Sequence, residues 1–133
     1  MVVKDPVAVK TDGVTYVFTA DMIVKFLTIG LTVAGTRTLH DVGANYQVPV
    51  GKVFVMLRLT YTGGANLRNF TFREANTLDT ADGSIVVESI AMSPNSTRIL
   101  DVHIVFAATK FPNITLDNAN TISVLATGIE MDA

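Results

Sequence analysis

Tyr46-Gln47-Val48-Pro49-Val50-Gly51-Lys52-Val53-Phe54-Val55-Met56-Leu57-Arg58-Leu59-Thr60-Tyr61-Thr62-Gly63-Gly64 declares its structure more plainly than any other segment of the chain. Pro49 fixes φ and removes a backbone donor, and Gly51 supplies a conformationally permissive corner before Lys52. An apolar run then continues to the Gly63-Gly64 break, as a long strand does. Strand alternation predicts Val53, Val55, Leu57, Leu59 and Tyr61 on one face and Phe54, Met56, Arg58, Thr60 and Thr62 on the other. The first half is therefore expected to be buried on both sides and the second half on one.

Working outward toward the N-terminus, Thr36 to Leu39 is a short extended segment, and Asp41 to Asn45 is expected to be a loop. Ile23, Leu27, Ile29, Leu31 and Val33 share one parity while Thr28, Gly30 and Thr32 share the other, which predicts a long core strand over Ile23 to Val33. A helix capped at Thr19-Ala20-Asp21 is the competing reading, and the β-branched content and Gly30 weigh against it. Ahead of it, Val7 to Lys10, Thr11-Asp12-Gly13 and Val14 to Phe18 predict a β-hairpin, because Asp-Gly supplies the positive φ of a tight turn. Such a terminal hairpin is expected to complete a sheet edge; its other use is to arm an interface.

Toward the C-terminus, Phe70 and Phe72 alternate with polar residues as a shorter strand, and Asn76 to Ser84 is turn chemistry. Ile85 to Ile90 restarts a strand that Ser93-Pro94-Asn95-Ser96 ends. Arg98 to Ala107 alternates cleanly, with Leu100, Val102, Ile104 and Phe106 inward and Asp101, His103 and Val105 outward. A loop with Lys110 and Pro112 leads to a brief Ile114-Thr115-Leu116. A final strand, Thr121 to Ile129, has Ile122, Val124 and Ala126 inside. The pattern predicts an all-β, antiparallel sandwich or barrel of eight or nine strands, without the crossover helices of a parallel sheet. The 133 residues are expected to form one domain, with an N-terminal hairpin arm over 1–20 and a body over 21–133.

Composition bounds the function. The residues are 49% hydrophobic and 17% charged, and the mean hydropathy of +0.41 predicts that part of the exterior is buried against other copies. A net charge of -2 with scattered Lys and Arg argues against direct nucleic-acid binding. Absent cysteines remove disulfides and thiolate chemistry. Lys4, Asp5 and Pro6 interrupt any signal-like apolar core, and the run from Met22 to Ala34 is shorter than the roughly 20 residues of a spanning helix.

Several residues invite chemistry. His40 adjoins Asp41, and Asp101 and His103 stand two apart on one strand face, a spacing that seats half a metal site or orients an imidazole. No nucleophile or oxyanion site accompanies either histidine, so Asp101 and His103 are expected to be a solvated, weakly paired couple on the outer face of their strand. Asp79, Asp82 and Gly83 suggest calcium, yet the loop lacks the alternating carboxylates and closing Glu of an EF-hand, and an Asp-Gly turn accounts for them. Gly51-Lys52 and Gly63-Gly64 lack the context of a phosphate loop. Asn69-Phe70-Thr71, Asn95-Ser96-Thr97 and Asn113-Ile114-Thr115 match the N-glycosylation triplet. No catalytic, cofactor-binding or metal-ligating residue is assigned, and no cofactor is expected.

The run Tyr46 to Lys52 followed by an apolar strand resembles the Tyr-x-Val-Pro-Ala-Gly-Lys opening of small jelly-roll structural proteins of phages and archaeal viruses, with Val50 where that pattern prefers Ala. The Ser93-Pro94-Asn95-Ser96 turn is similar as well. So is the ending Ser123-Val124-Leu125-Ala126-Thr127-Gly128-Ile129-Glu130, which closes on Gly-x-Glu. The similarity covers about Ile23 to Glu130 and leaves the hairpin outside. It implies a jelly roll of about eight strands and a non-enzymatic virion protein: capsid, spike, decoration or fibre-head domain. It further implies a symmetric homo-oligomer, a trimer first, in contact with other virion proteins and presenting loops to a host-surface glycan or receptor. A monomeric β-sandwich that binds a glycan or protein partner is the alternative.

Overall fold

The computed structural model describes residues 7–11, 14–18, 22–63, 68–92, 95–117 and 121–133. Its first two strands, β1 (Val7–Thr11) and β2 (Val14–Phe18), pair antiparallel with Thr11 opposite Val14. The expected hairpin is present, and its Asp12-Gly13 turn lies outside the described residues. It does not complete a sheet edge, however: it forms a two-stranded sheet of its own.

The other strands make two antiparallel sheets facing each other across one core. β3 (Ile23–Leu31), β5 (His40–Asp41), β6 (Ala44–Asn45), β7 (Lys52–Gly63), β10 (Thr97–Phe106) and β12 (Ile122–Asp132) form a six-stranded sheet in the order β10-β7-β12-β3-β5-β6. β4 (Gly35–Thr38), β8 (Arg68–Ala75), β9 (Ser84–Met92) and β11 (Phe111–Leu116) form a four-stranded sheet in the order β4-β11-β8-β9. The fold is the predicted all-β antiparallel sandwich with an N-terminal hairpin, and short strands raise the strand count. The stretch expected to loop at Asp41 to Asn45 is a miniature hairpin, β5-β6, whose turn residues Val42 and Gly43 take φ of 50° and 81°. β11 likewise begins at Phe111, running through the Pro112 expected in a loop.

The long strand β7 has the predicted bounds but not the predicted faces. Phe54, Met56, Leu59 and Tyr61 all enter the main core, while Val55 and Leu57 belong to a second cluster. The inward series changes parity between Met56 and Leu59. Against β12, Thr127 pairs Arg58 and the next residue, Gly128, pairs Met56, so β7 carries one extra residue at Leu57. Such a bulge hands the following residues to the opposite face. The expected single series from Val53 to Tyr61 is corrected accordingly. β10, also shifted in register here, keeps its predicted alternation, with Phe106 fully buried and Leu100, Val102 and Ile104 packed on the core.

Aromatic rings tie the sheets together. Tyr61 of β7 meets Phe70 of β8 edge-on at 4.9 Å between centroids, and Phe72 meets Phe106 at 6.0 Å. Such pairs add roughly 0.5–1.5 kcal/mol each beyond the area they bury. The turn before β7 is as the sequence predicts: Gly51 has φ of 77° and Lys52 N–H donates to the Pro49 carbonyl at 3.1 Å. Tyr46 donates its hydroxyl to Glu130 at 2.9 Å, and both are buried. Gly128 is required between them: a Cβ there would lie 2.3 Å from the Val55 carbonyl oxygen and 2.6 Å from the Phe54 ring. Tyr46, Phe54, Gly128 and Glu130, from opposite ends of the sequence motifs, are thus one packed unit.

Candidate functional site

The six-stranded sheet has an outer face, away from the core, and the register reads it row by row. Val105, Val55, Ile129 and Val24 are consecutive cross-strand partners on β10, β7, β12 and β3, an unbroken apolar row. Val55 and Ile129, together with Leu57, form a buried cluster with Met22 and Met131 packed against it. The ends of the row and the adjoining Phe26 are open: Phe26 is 59% exposed, Val105 52% and Val24 44%. Valine and phenylalanine at aligned outer positions produce this patch, because side chains directly opposite on neighbouring strands touch.

The next row changes character. Asp101, Arg58, Thr127 and Phe26 are aligned, and Arg58 Nε donates to Asp101 Oδ1 at 2.7 Å. Beyond it Thr28, Thr60, Thr62 and Ser123 lie around Gly30, in line with Leu125 and with Ile99, which is 62% exposed.

A second feature lies where β3 runs past its short partner β5. A groove of about 600 Å³ is floored by Ile29 and Leu31 and edged by Arg37, His40, Asn45 and Asp79. His40 and Asn45 are brought together because they are partners across the β5-β6 hairpin. Sequence reading grouped His40 with Asp41, but Asp41 instead accepts from Lys25 Nζ at 2.8 Å. The strained turn at Val42, 97% exposed, had no sequence signal, since Val-Gly is not an ordinary hairpin pair.

The remaining candidates have structural roles. Asp79 Oδ1 accepts from Thr38 N–H at 2.8 Å while Thr38 Oγ1 accepts from Asp79 N–H at 3.0 Å. Thr38 Oγ1 in turn donates to Asn113 Oδ1 at 2.6 Å, and Asn113 Nδ2 donates to the Thr77 and Thr80 carbonyls at 3.0 and 2.9 Å. Asp82 Oδ1 accepts from Asn76 and Thr77 N–H at 2.8 and 3.3 Å. The Thr77 hydroxyl, with these amides and Lys110, holds the Asp82 carboxyl below its ordinary value. Both aspartates thus organise the loop over 76–83. Asn113 is fully buried, so its triplet is a packing element in the folded chain. Asn95 is exposed with φ of 49°, and the side chain of Asn69 lies outside the described residues. Asp101 and His103 are both exposed on β10. Lys52 is at the strand start, ion-paired with Asp132. At the buried end, burial first, then the hydrogen bond to Glu130 and the charges of Glu130 and Asp41, push the Tyr46 phenol far above its ordinary value.

No family model matches the chain, and no curated protein sequence matches it. Among solved structures, it is similar to a chain of the T13 IBDV viral particle, described in relation to icosahedral viruses, with a TM-score of 0.50 and 11% identity. That match covers 96% of this chain and 36% of the viral one, so the chain spans about a third of its neighbour. A Bacillus endospore appendage protein, from a family of disulfide-linked pili, gives a TM-score of 0.49 at 12% identity, covering 84% of this chain and 88% of that one. A particle chain of the prawn Macrobrachium rosenbergii extra small virus gives 0.36 at 14% identity, covering 90% and 86%. At these identities the likeness concerns the fold alone.

Proposed function

We propose that the protein is a non-enzymatic structural subunit of a virion that self-associates into a symmetric oligomer, a trimer first, and meets other virion proteins in the particle. The exposed apolar side chains on the outer face of the six-stranded sheet, Phe26, Val24, Val105 and Ile99, carry this reading. Removing apolar surface from water is worth about 25 cal/mol per Å², and a single chain leaves Phe26, Val24 and Val105 substantially exposed. The positive mean hydropathy is consistent with exterior that neighbours cover. The fold likeness to a chain of an icosahedral particle and the resemblance of the Tyr46 to Lys52 and Gly128 to Glu130 motifs support the virion setting. In this reading 21–133 is the body and 1–20 the arm.

Light scattering on the full chain tests it. An oligomer at micromolar concentration is expected, and Phe26→Asp should shift the mass toward 14.3 kDa with the fold intact. A strict monomer at high concentration would overturn the proposal.

The groove edged by Arg37, His40, Asn45 and Asp79 favours a second reading, a glycan-binding β-sandwich. Hydrogen-bonding groups above an apolar floor suit a sugar ring. A saturable glycan-array signal abolished by Arg37→Ala and Asn45→Ala, in a chain that remains monomeric, would promote this reading over the first.

A further inference from the structure

Going beyond the proposed function, we infer that the groove beside β3 is a docking lane for an extended acidic segment of a partner protein, which adds to the six-stranded sheet as one more strand. The groove then has an occupant other than a sugar. Three observations lead there.

The first is an unfinished strand edge. β3 is paired with β12 along its whole length, from Ile23 to Leu31. On its other side β5 covers only Leu27 and Thr28, because the chain enters β5 from β4, which belongs to the opposite sheet. Among the described residues, β3 from Ile29 onward faces no strand on that side. Alternate residues of a strand turn N–H and C=O to the same edge, and an open edge is a template for another strand.

The second is the shape of the groove. Its lining includes five consecutive residues, Ile29 to Val33, so it runs along the strand edge and not across the sheet. Five extended residues are about 17 Å long. β5 closes one end, and Arg37 of β4, the edge strand of the other sheet, stands on the far side. A space of about 600 Å³ between such walls admits a single free segment and shuts out the edge of a second folded sandwich. Among the described residues no aromatic ring lines it for a sugar to stack on, whereas strand addition draws its affinity from main-chain hydrogen bonds.

The third is charge. Arg37 is exposed, and its hydrogen bond runs from Nη1 to the neighbouring Thr36 carbonyl at 3.1 Å. None of the ion pairs among the described residues includes it. Asp79, on the same groove, is already engaged through Oδ1 by the Thr38 amide at 2.8 Å. A guanidinium offers a fork of N–H donors that matches a carboxylate, so the segment that completes the groove is acidic. A strand in this lane turns alternate side chains toward the facing sheet. Its acidic residue therefore shares a face with apolar neighbours over Ile29 and Leu31.

The chain has no cysteine, so one introduced thiol reports without background. The full chain carrying Val33→Cys, at the end of the groove away from β5, is equilibrated by disulfide exchange with the peptide Cys-Gly-Val-Thr-Glu-Thr-Val-amide under rising 2-mercaptoethanol. The adduct should survive about fivefold more reductant than that of the same peptide with Lys in place of Glu. It should also slow hydrogen exchange at alternate amides from Ile29 onward. Arg37→Glu in the same chain should reverse the preference to the Lys peptide. A peptide N-methylated at the alternate residues that face β3 should lose both effects.

Equal retention of the Glu and Lys peptides would overturn the acidic partner. Undiminished retention of the N-methylated peptide would overturn strand addition. A glycan-array signal that needs Arg37 and Asn45, with neither peptide held better than a Cys-Gly-amide control, would give the groove to a sugar and end the inference while keeping the second reading. If Arg37→Glu alone dissolves the oligomer, the occupant is another copy and the partner protein falls, although self-association stands. Selective retention by a chain that is a strict monomer would support the inference while overturning self-association.

Discussion

On the outer face of the four-stranded sheet the chain covers itself. The loop over 76–83 takes Asn113 and Thr38 to full burial, and each of their polar side-chain groups has a partner. On the outer face of the six-stranded sheet Phe26, Val24 and Val105 are left open. The two finishes differ in what their cover must supply. Buried amides and hydroxyls demand directional partners at fixed distances, which a covalently attached loop holds in place. Apolar surface asks only for contact, and a second molecule provides that. The polar face is therefore complete within one chain, and under the proposed function the exposed apolar residues are where assembly would complete the other.

The largest effect that would break this contrast is at Asn113. Asn113→Leu removes its bonds to Thr38, Thr77 and Thr80 and strands two loop carbonyls. At about 1 kcal/mol per net hydrogen bond plus the desolvation of unpaired groups, the loss should be about 3 kcal/mol. Urea unfolding should show a lower midpoint at an unchanged slope. A loss under about 1 kcal/mol would mean the loop does not hold its face closed.

Tyr46 tests the layer that both faces share. Tyr46→Phe keeps the ring against Phe54, at 5.5 Å between centroids, but leaves buried Glu130 without its donor, costing about 2 kcal/mol at neutral pH. The pH dependence has a definite sign. The folded phenol titrates above its ordinary 10.0, so above about pH 10 the unfolded chain has released a proton that the folded chain retains. Stability from this group is constant below pH 10 and falls as pH rises past it. Denaturation midpoints from pH 8 to 11 should decline more steeply in the unmodified protein than in Tyr46→Phe; parallel declines would place the titration elsewhere.

The architecture was legible where residues obey one rule at a time. Asp-Gly marked the hairpin, Pro49 and Gly51 marked the corner, and strict alternation placed Leu100 to Phe106. Three features escaped. The β7 bulge leaves no mark in Met56-Leu57-Arg58, since an extra residue appears only against the partner's register. The β5-β6 turn uses Val42 at positive φ, a conformation β-branched residues avoid. The apolar patch draws single residues from four strands far apart in sequence, so composition announced an excess of hydropathy without placing it. The Asn113 network was hidden for a related reason: alternation puts Asn113 on an outer face, and a distant loop buries it.

The smallest expected effect sharpens the contrast from the polar side. Asp82 binds the Asn76 and Thr77 amides, and its carboxyl is held below the ordinary value chiefly by the Thr77 hydroxyl. A depressed folded pKa means that, as pH falls below the unfolded value of about 3.9, the unfolded chain takes up the proton first. The stabilisation is thus present above that value and disappears as pH drops through the folded one. Hydrogen exchange of the Asn76 and Thr77 amides should quicken below pH 4 relative to core amides of β12, after correction for intrinsic rates. Asp82→Asn should show the faster relative exchange already at neutral pH, with little further change on acidification. Because Asp82 anchors the start of the loop while Asn113 and Thr38 grip its middle, acid should loosen the rim of the cover before its centre. Thr80 and Asp79 amides opening together with Asn76 would show that the loop is one cooperative lid and that its carboxylate, not its buried amide, decides whether the polar face stays closed.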